Sequence, residues 1–146
     1  MRRPRRGDGG SALVEFSWLG ILLLIPLVWI VLSVFEVQRG AFGVSGAARA
    51  AARAYALAPD DGTGAARGRA AARQVFADQG LTDPPAMRFS CPTRGSDGTC
   101  HSAGAVVRVD VRTQVRLPLL PSVLGSGAPS FRVSGEHTVP YGTFRE

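Results

Sequence analysis

The sequence predicts an α+β chain in which a long N-terminal membrane helix continues into an amphipathic helix and is followed by a small antiparallel sheet domain. Three observations carry that expectation. Residues 16–35, FSWLGILLLIPLVWIVLSVF, run for twenty residues without a charge. Past Glu36 the apolar residues recur at three- and four-residue steps, and from Ala105 the period switches to two. The 146 residues have room for one small domain with a core of limited size. They divide into a basic leader over 1–10, a transmembrane helix over 11–35, an amphipathic extension over 36–58 and a small α+β domain over 59–146.

The leader, MRRPRRGDGG, is polar, basic and glycine-rich, and is expected to be unstructured. The apolar run behind it, at about 1.5 Å per residue, reaches roughly 30 Å, the thickness of a bilayer's hydrocarbon core. Pro26 lies inside that run, where it removes a backbone hydrogen bond and should kink or loosen the helix locally. Beyond Glu36, Val37, Ala41, Val44, Ala48, Ala51 and Tyr55 form one helix face, with Gln38, Ser45, Arg49 and Arg53 opposite. The helix is expected to end near Leu57, stopped by Pro59-Asp60-Asp61-Gly62. Its stripe is mostly small residues, so it must lie against this chain's own domain or a neighbouring subunit.

A second helix is expected over 64–79, stopped by Gly80. In AVVRVDVRTQVRLPLLP, Val107, Val109, Val111, Val115 and Leu117 point one way, and Arg108, Asp110, Arg112, Gln114 and Arg116 the other. This is the pattern of a strand with one wet face. MRFSC (87–91) and FRVSGEHTVPY (131–141) predict two further strands, with Pro140 holding the last near an edge or an end. The long helix would lie across one face of this sheet.

All 17 basic residues are arginine, against 11 acids, which gives a net charge of +6 and excludes chemistry that needs a lysine. Four arginines precede the apolar run, and Glu36 and Arg39 cancel just beyond it. The asymmetry predicts a single-pass membrane protein with a cytoplasmic N-terminus and an extracytoplasmic C-terminal domain. The later arginines are scattered without interleaved aromatics, so no nucleic-acid partner is expected. The lipid bilayer is the expected surroundings of the helix. Arginine without lysine, beside abundant Ala and Gly, reflects base composition more than a binding surface.

Cys91 and Cys100 are the only cysteines and flank the turn-rich PTRGSDGT. Outside the cytoplasm a disulfide between them is expected, contributing roughly 2–3 kcal/mol through loop closure. Free thiols are one alternative. A zinc site with His101 and His137 is another, although structural zinc sites space their cysteines more closely. No metal or other cofactor is expected. No cysteine stands in or just after the apolar run, which excludes a lipid-anchored lipoprotein.

Glu15 abuts the apolar run, where an acid is costly unless it caps the helix start or meets a counter-charge. Gly10 precedes it by five residues, behind the basic leader. The stretch RRGDGGSALVEFSW thereby resembles the class III signal of type IV prepilins. That resemblance implies cleavage by prepilin peptidase between Gly10 and Ser11, with Glu15 in the assembly glutamate position and Phe16 as its aromatic follower. The order SALVEF, apolar span, Gln-Arg exit and AARAAARAYA is similar to TadE-like proteins, minor pseudopilins of the tight-adherence branch of type IV pili. The likeness covers about residues 7–58. It implies a non-catalytic subunit that primes or caps a fibre, or helps its secretion, with other pilin or pseudopilin subunits and the pilus assembly machinery as partners. The chain departs from many relatives in carrying Pro26 deep in the span instead of soon after the glutamate.

Three rival readings stand beside this one. An ordinary signal peptide could be cut near Ala50-Ala51-Ala52, but the apolar run exceeds the usual length and Glu36 and Arg39 intrude. An uncleaved signal anchor displaying a binding domain accounts for all but Gly10 and Glu15. An enzyme is the third. No serine elbow or paired carboxylates occur, GTGAARG lacks the lysine and strand of a phosphate loop, and His101 is expected to be a solvated loop residue.

Overall fold

The computed structural model describes residues 11–117 and 130–142. The leader, including Gly10, lies outside the described residues, as do the side chain of Ser11, residues 118–129 between the last two strands and residues 143–146. The fold is α+β. Helix α1 (Ser11–Ala56) runs for 46 residues, and helix α2 (Asp61–Asp78) follows it. Strands β1 (Ala86–Thr93), β2 (Val106–Arg116) and β3 (Ser130–Pro140) then form an antiparallel sheet in chain order. Pro26 sits within α1, and the helix continues through it unbroken.

The two helices share one face of the sheet. Helix α1 crosses β2 and β3 and packs along α2. On β2 the period-two expectation holds: Val107, Val109, Val111, Val115 and Leu117 are buried, joined by Thr113, while the arginines face outward. Pro140 ends β3, an edge strand, where its missing N–H leaves no gap in a central ladder. The pairing of β1 with β2 slips between Ser90 and Thr93, at Cys91-Pro92.

The buried face of α1 differs from the predicted stripe. Ala41 is exposed, and Gly40 and Gly43 are buried in its place. The reason is steric. A Cβ on Gly40 would overlap the side chain of Val115, and one on Gly43 would come within 2.5 Å of Leu81. The contact is so close that bare backbone fills it better than alanine. Strand β3 reciprocates at Gly135, where a Cβ would lie 2.8 Å from the Val44 carbonyl carbon and the Ser45 nitrogen. On α2, Gly64, Gly68, Ala72 and Phe76 recur every four residues and are buried. Ala47, Ala48, Ala51 and Ala52 of α1, also buried, join Ala72 and Phe76 in the same core cluster.

Helix α2 begins three residues earlier than predicted, because the expected stop sequence also starts the next helix. Asp60 is its N-cap and accepts from the Thr63 N–H at 2.9 Å and from its hydroxyl at 2.7 Å. Those bonds hold the Asp60 carboxyl below its usual range. Gly62 and Thr63, expected to precede the helix, are therefore helical along with the rest of GTGAARG. The predicted stop at Gly80 is present: its φ is +66° and the Leu81 N–H reaches back to the Phe76 carbonyl at 2.9 Å.

Candidate functional site

The N-terminal half of α1 is the largest feature that the fold leaves uncovered. From Leu13 to Phe35 its large apolar side chains are exposed, apart from the half-buried Trp29, with Phe16 at 77%. Among the described residues this is the one helix long and apolar enough to cross a membrane. Its hydroxyls are satisfied locally: Ser17 donates to the Leu13 carbonyl and Ser33 to the Trp29 carbonyl, each at 2.8 Å. Such bonds back to residue i−4 let a hydroxyl sit in hydrocarbon without an unmet donor. At the other end of the apolar run Glu36 and Arg39 form an ion pair at 2.5 Å, which marks the change from an apolar to a charged surface. Glu15 and Phe16 lie exposed in the second turn, one residue apart.

Cys91 and Cys100 lie as a disulfide pair with their Cα atoms 5.9 Å apart. The bridge ties β1 to the loop that leads into β2, and Cys100 is part of the core cluster. Next to it His101 departs from expectation. Its side chain is only 7% exposed. The ring lies 4.8 Å from the Tyr55 ring and 5.4 Å from that of Tyr141. Its Nδ1 meets Asp61 Oδ1 at 2.5 Å and its Nε2 meets the Tyr55 carbonyl at 3.0 Å. The Tyr55 hydroxyl donates to the same Asp61 oxygen at 2.8 Å.

A loop histidine is thus drawn into the corner between α1 and α2, because that corner offers acceptors at the end of one helix and the start of the next. Both ring nitrogens are engaged by the fold, which leaves neither to face a substrate. Burial works to raise the Asp61 carboxyl, but the hydrogen bonds from His101 and Tyr55 outweigh it and hold it below its ordinary value. Burial, with the Asp61 carboxylate beside it, pushes the Tyr55 hydroxyl well above its ordinary value. The loop itself is shaped by Asp97, which accepts from the Thr99 N–H at 2.8 Å and hydroxyl at 2.7 Å. The Ser102 hydroxyl together with Thr99 holds the Asp97 carboxyl at about 2.

His137 stands on β3 opposite Val109, half-buried. Among the described residues no group of three or more His, Cys, Asp or Glu side chains gathers as a metal site. The sequence carried no periodic signal for the cluster of Tyr55, Asp61 and His101, because its members are 6 and 40 residues apart along the chain. Position beside Cys100 was the one available hint.

No family model matches the chain, and no curated protein or solved structure matches it either. The functional reading therefore rests on the residues and their geometry.

Proposed function

We propose that this chain is a TadE-like minor pseudopilin of a tight-adherence type IV pilus assembly or secretion system. A prepilin peptidase cuts it between Gly10 and Ser11, and the subunit is then incorporated through its N-terminal helix. The observation that carries the reading is the double use of one helix. The first half of α1 is an exposed apolar stem, and the second half, without interruption, is the spine of the α+β domain. A subunit built this way can be stored in a bilayer by its stem and transferred to a fibre by exchanging lipid for neighbouring stems.

The chemistry at the start of the stem fits that transfer. Cleavage frees an ammonium group on Ser11 at the membrane edge. Glu15 of a neighbouring subunit neutralises it during packing, so two groups that are each costly in hydrocarbon satisfy one another. Phe16 adds apolar area beside that pair. Ordinary secretion fits the fold poorly. A cut at Ala50–Ala52 would remove Val44, Ala47 and Ala48 from the core and take away the backbone on which Gly135 rests.

The test is the N-terminus of the mature protein, determined by mass spectrometry on membranes of a host that has its own prepilin peptidase. A start at Ser11 is expected. A start at Met1 or Arg2 would replace this reading with an uncleaved anchored module, and a start beyond Ala48 with a secreted domain.

A further inference from the structure

The apolar stem and the sheet overlap along the helix axis. The end of the β2–β3 pair, at Leu117 and Phe131, reaches down beside Trp29, Ile30 and Val34 of α1 and encloses with them a groove of about 320 Å³. These three helix residues belong to the uncharged run that ends at Phe35. Trp29 is six residues before that end, about 9 Å along the axis at 1.5 Å per residue. The run is only just long enough to cross a hydrocarbon core of roughly 30 Å. With the stem across a bilayer, the end of the strand pair is level with the membrane boundary, not clear of it.

The side chains at that end suit the level. Val115 and Phe131 are register partners on the helix-facing side of the sheet. Phe131 is nonetheless 53% exposed, because the groove lies between it and α1. One step along each strand, on the opposite face, stand Arg116 and Arg132, both exposed. Arg116 meets Asp83 only at 3.7 Å, and its side chain is 75% exposed. Leu117 and Phe131 on the helix-facing side, with Arg116 and Arg132 each one step away on the other face, match the interface of a bilayer. The apolar groups enter the acyl region there, while the long basic side chains reach up to phosphates.

We propose that the end of the β2–β3 pair, with Leu117 and Phe131, rests in the headgroup–acyl boundary beside the exit of α1, and that lipid acyl chains fill the groove. The domain is then held against the bilayer at two points, the helix and the sheet edge, and its orientation is fixed before assembly. This rests on the reading of α1 as a membrane stem, and on its continuity with the exposed apolar surface below.

The experiment uses the full chain in vesicles of phosphatidylcholine and phosphatidylglycerol, without reductant so that the native cysteines stay paired. An environment-sensitive fluorophore is attached at Phe131→Cys, at Leu23→Cys in mid-stem and at Thr138→Cys towards the far end of β3. Quenching is read with lipids spin-labelled near the headgroup or at mid-chain. The label at 131 is expected to emit to the blue of the one at 138. It should be quenched about threefold more strongly by the headgroup-proximal spin label, as for a group about 5–10 Å into the boundary. Ser130→Cys repeats the measurement at an exposed neighbouring position should Phe131→Cys perturb the domain. A water-like, unquenched label at both 130 and 131, with position 23 quenched at mid-chain, overturns the proposal and leaves the stem intact. A blue-shifted label that lipid does not quench and that depends on protein density means a second copy covers the groove, which also overturns it. An unquenched label at position 23 removes the stem reading and this proposal with it.

Discussion

Between Leu13 and Phe35, α1 turns its large apolar side chains outward, whereas between Gly40 and Tyr55 the surface it buries is glycine and alanine with one valine and one tyrosine. The two halves thus invert the usual relation between size and burial. In the upper half, small residues let the helix backbone approach Gly135 of β3 and the Gly64–Phe76 stripe of α2. Each contributes little area, so most of the core's stabilisation must come from the larger partners, Phe76, Val107, Val109 and Val111. In the lower half the described chain leaves the large residues uncovered except beside Trp29, where the end of the sheet reaches down. Their surface is stable only against an apolar solvent or other apolar helices.

The widest separation between the halves should come from one chemical change made in each. Phe76→Ala, which empties a site only 2% exposed, is expected to cost the domain about 3–5 kcal/mol. Phe16→Ala should change the domain's stability in urea unfolding by less than about 0.5 kcal/mol, because that ring touches no core. A large effect of Phe16 on domain unfolding would end the division into stem and domain. Next in size is Leu23→Arg, expected to cost about 2.5–3.5 kcal/mol on membrane insertion. Carbonate extraction would show a loss of the membrane fraction, while domain unfolding in detergent stays as in the parent.

A smaller change sharpens the upper half. The Asp61 carboxyl is held below its ordinary value, so its stabilising contribution is present above about pH 4, the unfolded range, and is lost as pH falls through the folded value. Asp61→Asn should therefore be destabilised at pH 7 and show a flatter acid limb than the parent in urea unfolding followed from pH 7 to pH 3. The size is limited because the Asp61 side chain is 52% exposed and solvent screens it. The least effect is expected at the wet face of the sheet. Arg108 and Glu136 meet at 3.0 Å with both side chains about half exposed, and Glu136→Gln should cost about 0.2–1 kcal/mol, less at high salt.

Elements whose pattern is local were readable in the chain. The uncharged run, the alternation along β2, the turn at Gly80 and the edge position of Pro140 each follow from side-chain chemistry within a few residues. The expected Cys91–Cys100 pairing has its counterpart in the structure, where the short separation leaves little choice of partner. Periodicity alone misassigned Ala41, since a helical wheel ranks alanine above glycine as apolar and knows nothing of Val115 pressing on Gly40. It also read Pro59–Gly62 only as a stop, although the same residues cap and begin α2.

By itself, then, the sequence determined where the chain is apolar, where it is helical or extended, and which face of β2 is dry, because those depend on periods of two and of about 3.6 residues. Three matters only the tertiary structure decided. They are the order of the strands, the burial of His101 against Tyr55 and Asp61, and the depth to which the β2–β3 end descends along the stem. Each depends on groups far apart in the chain meeting at a distance set by glycine-lined contacts, and no local pattern encodes such a distance.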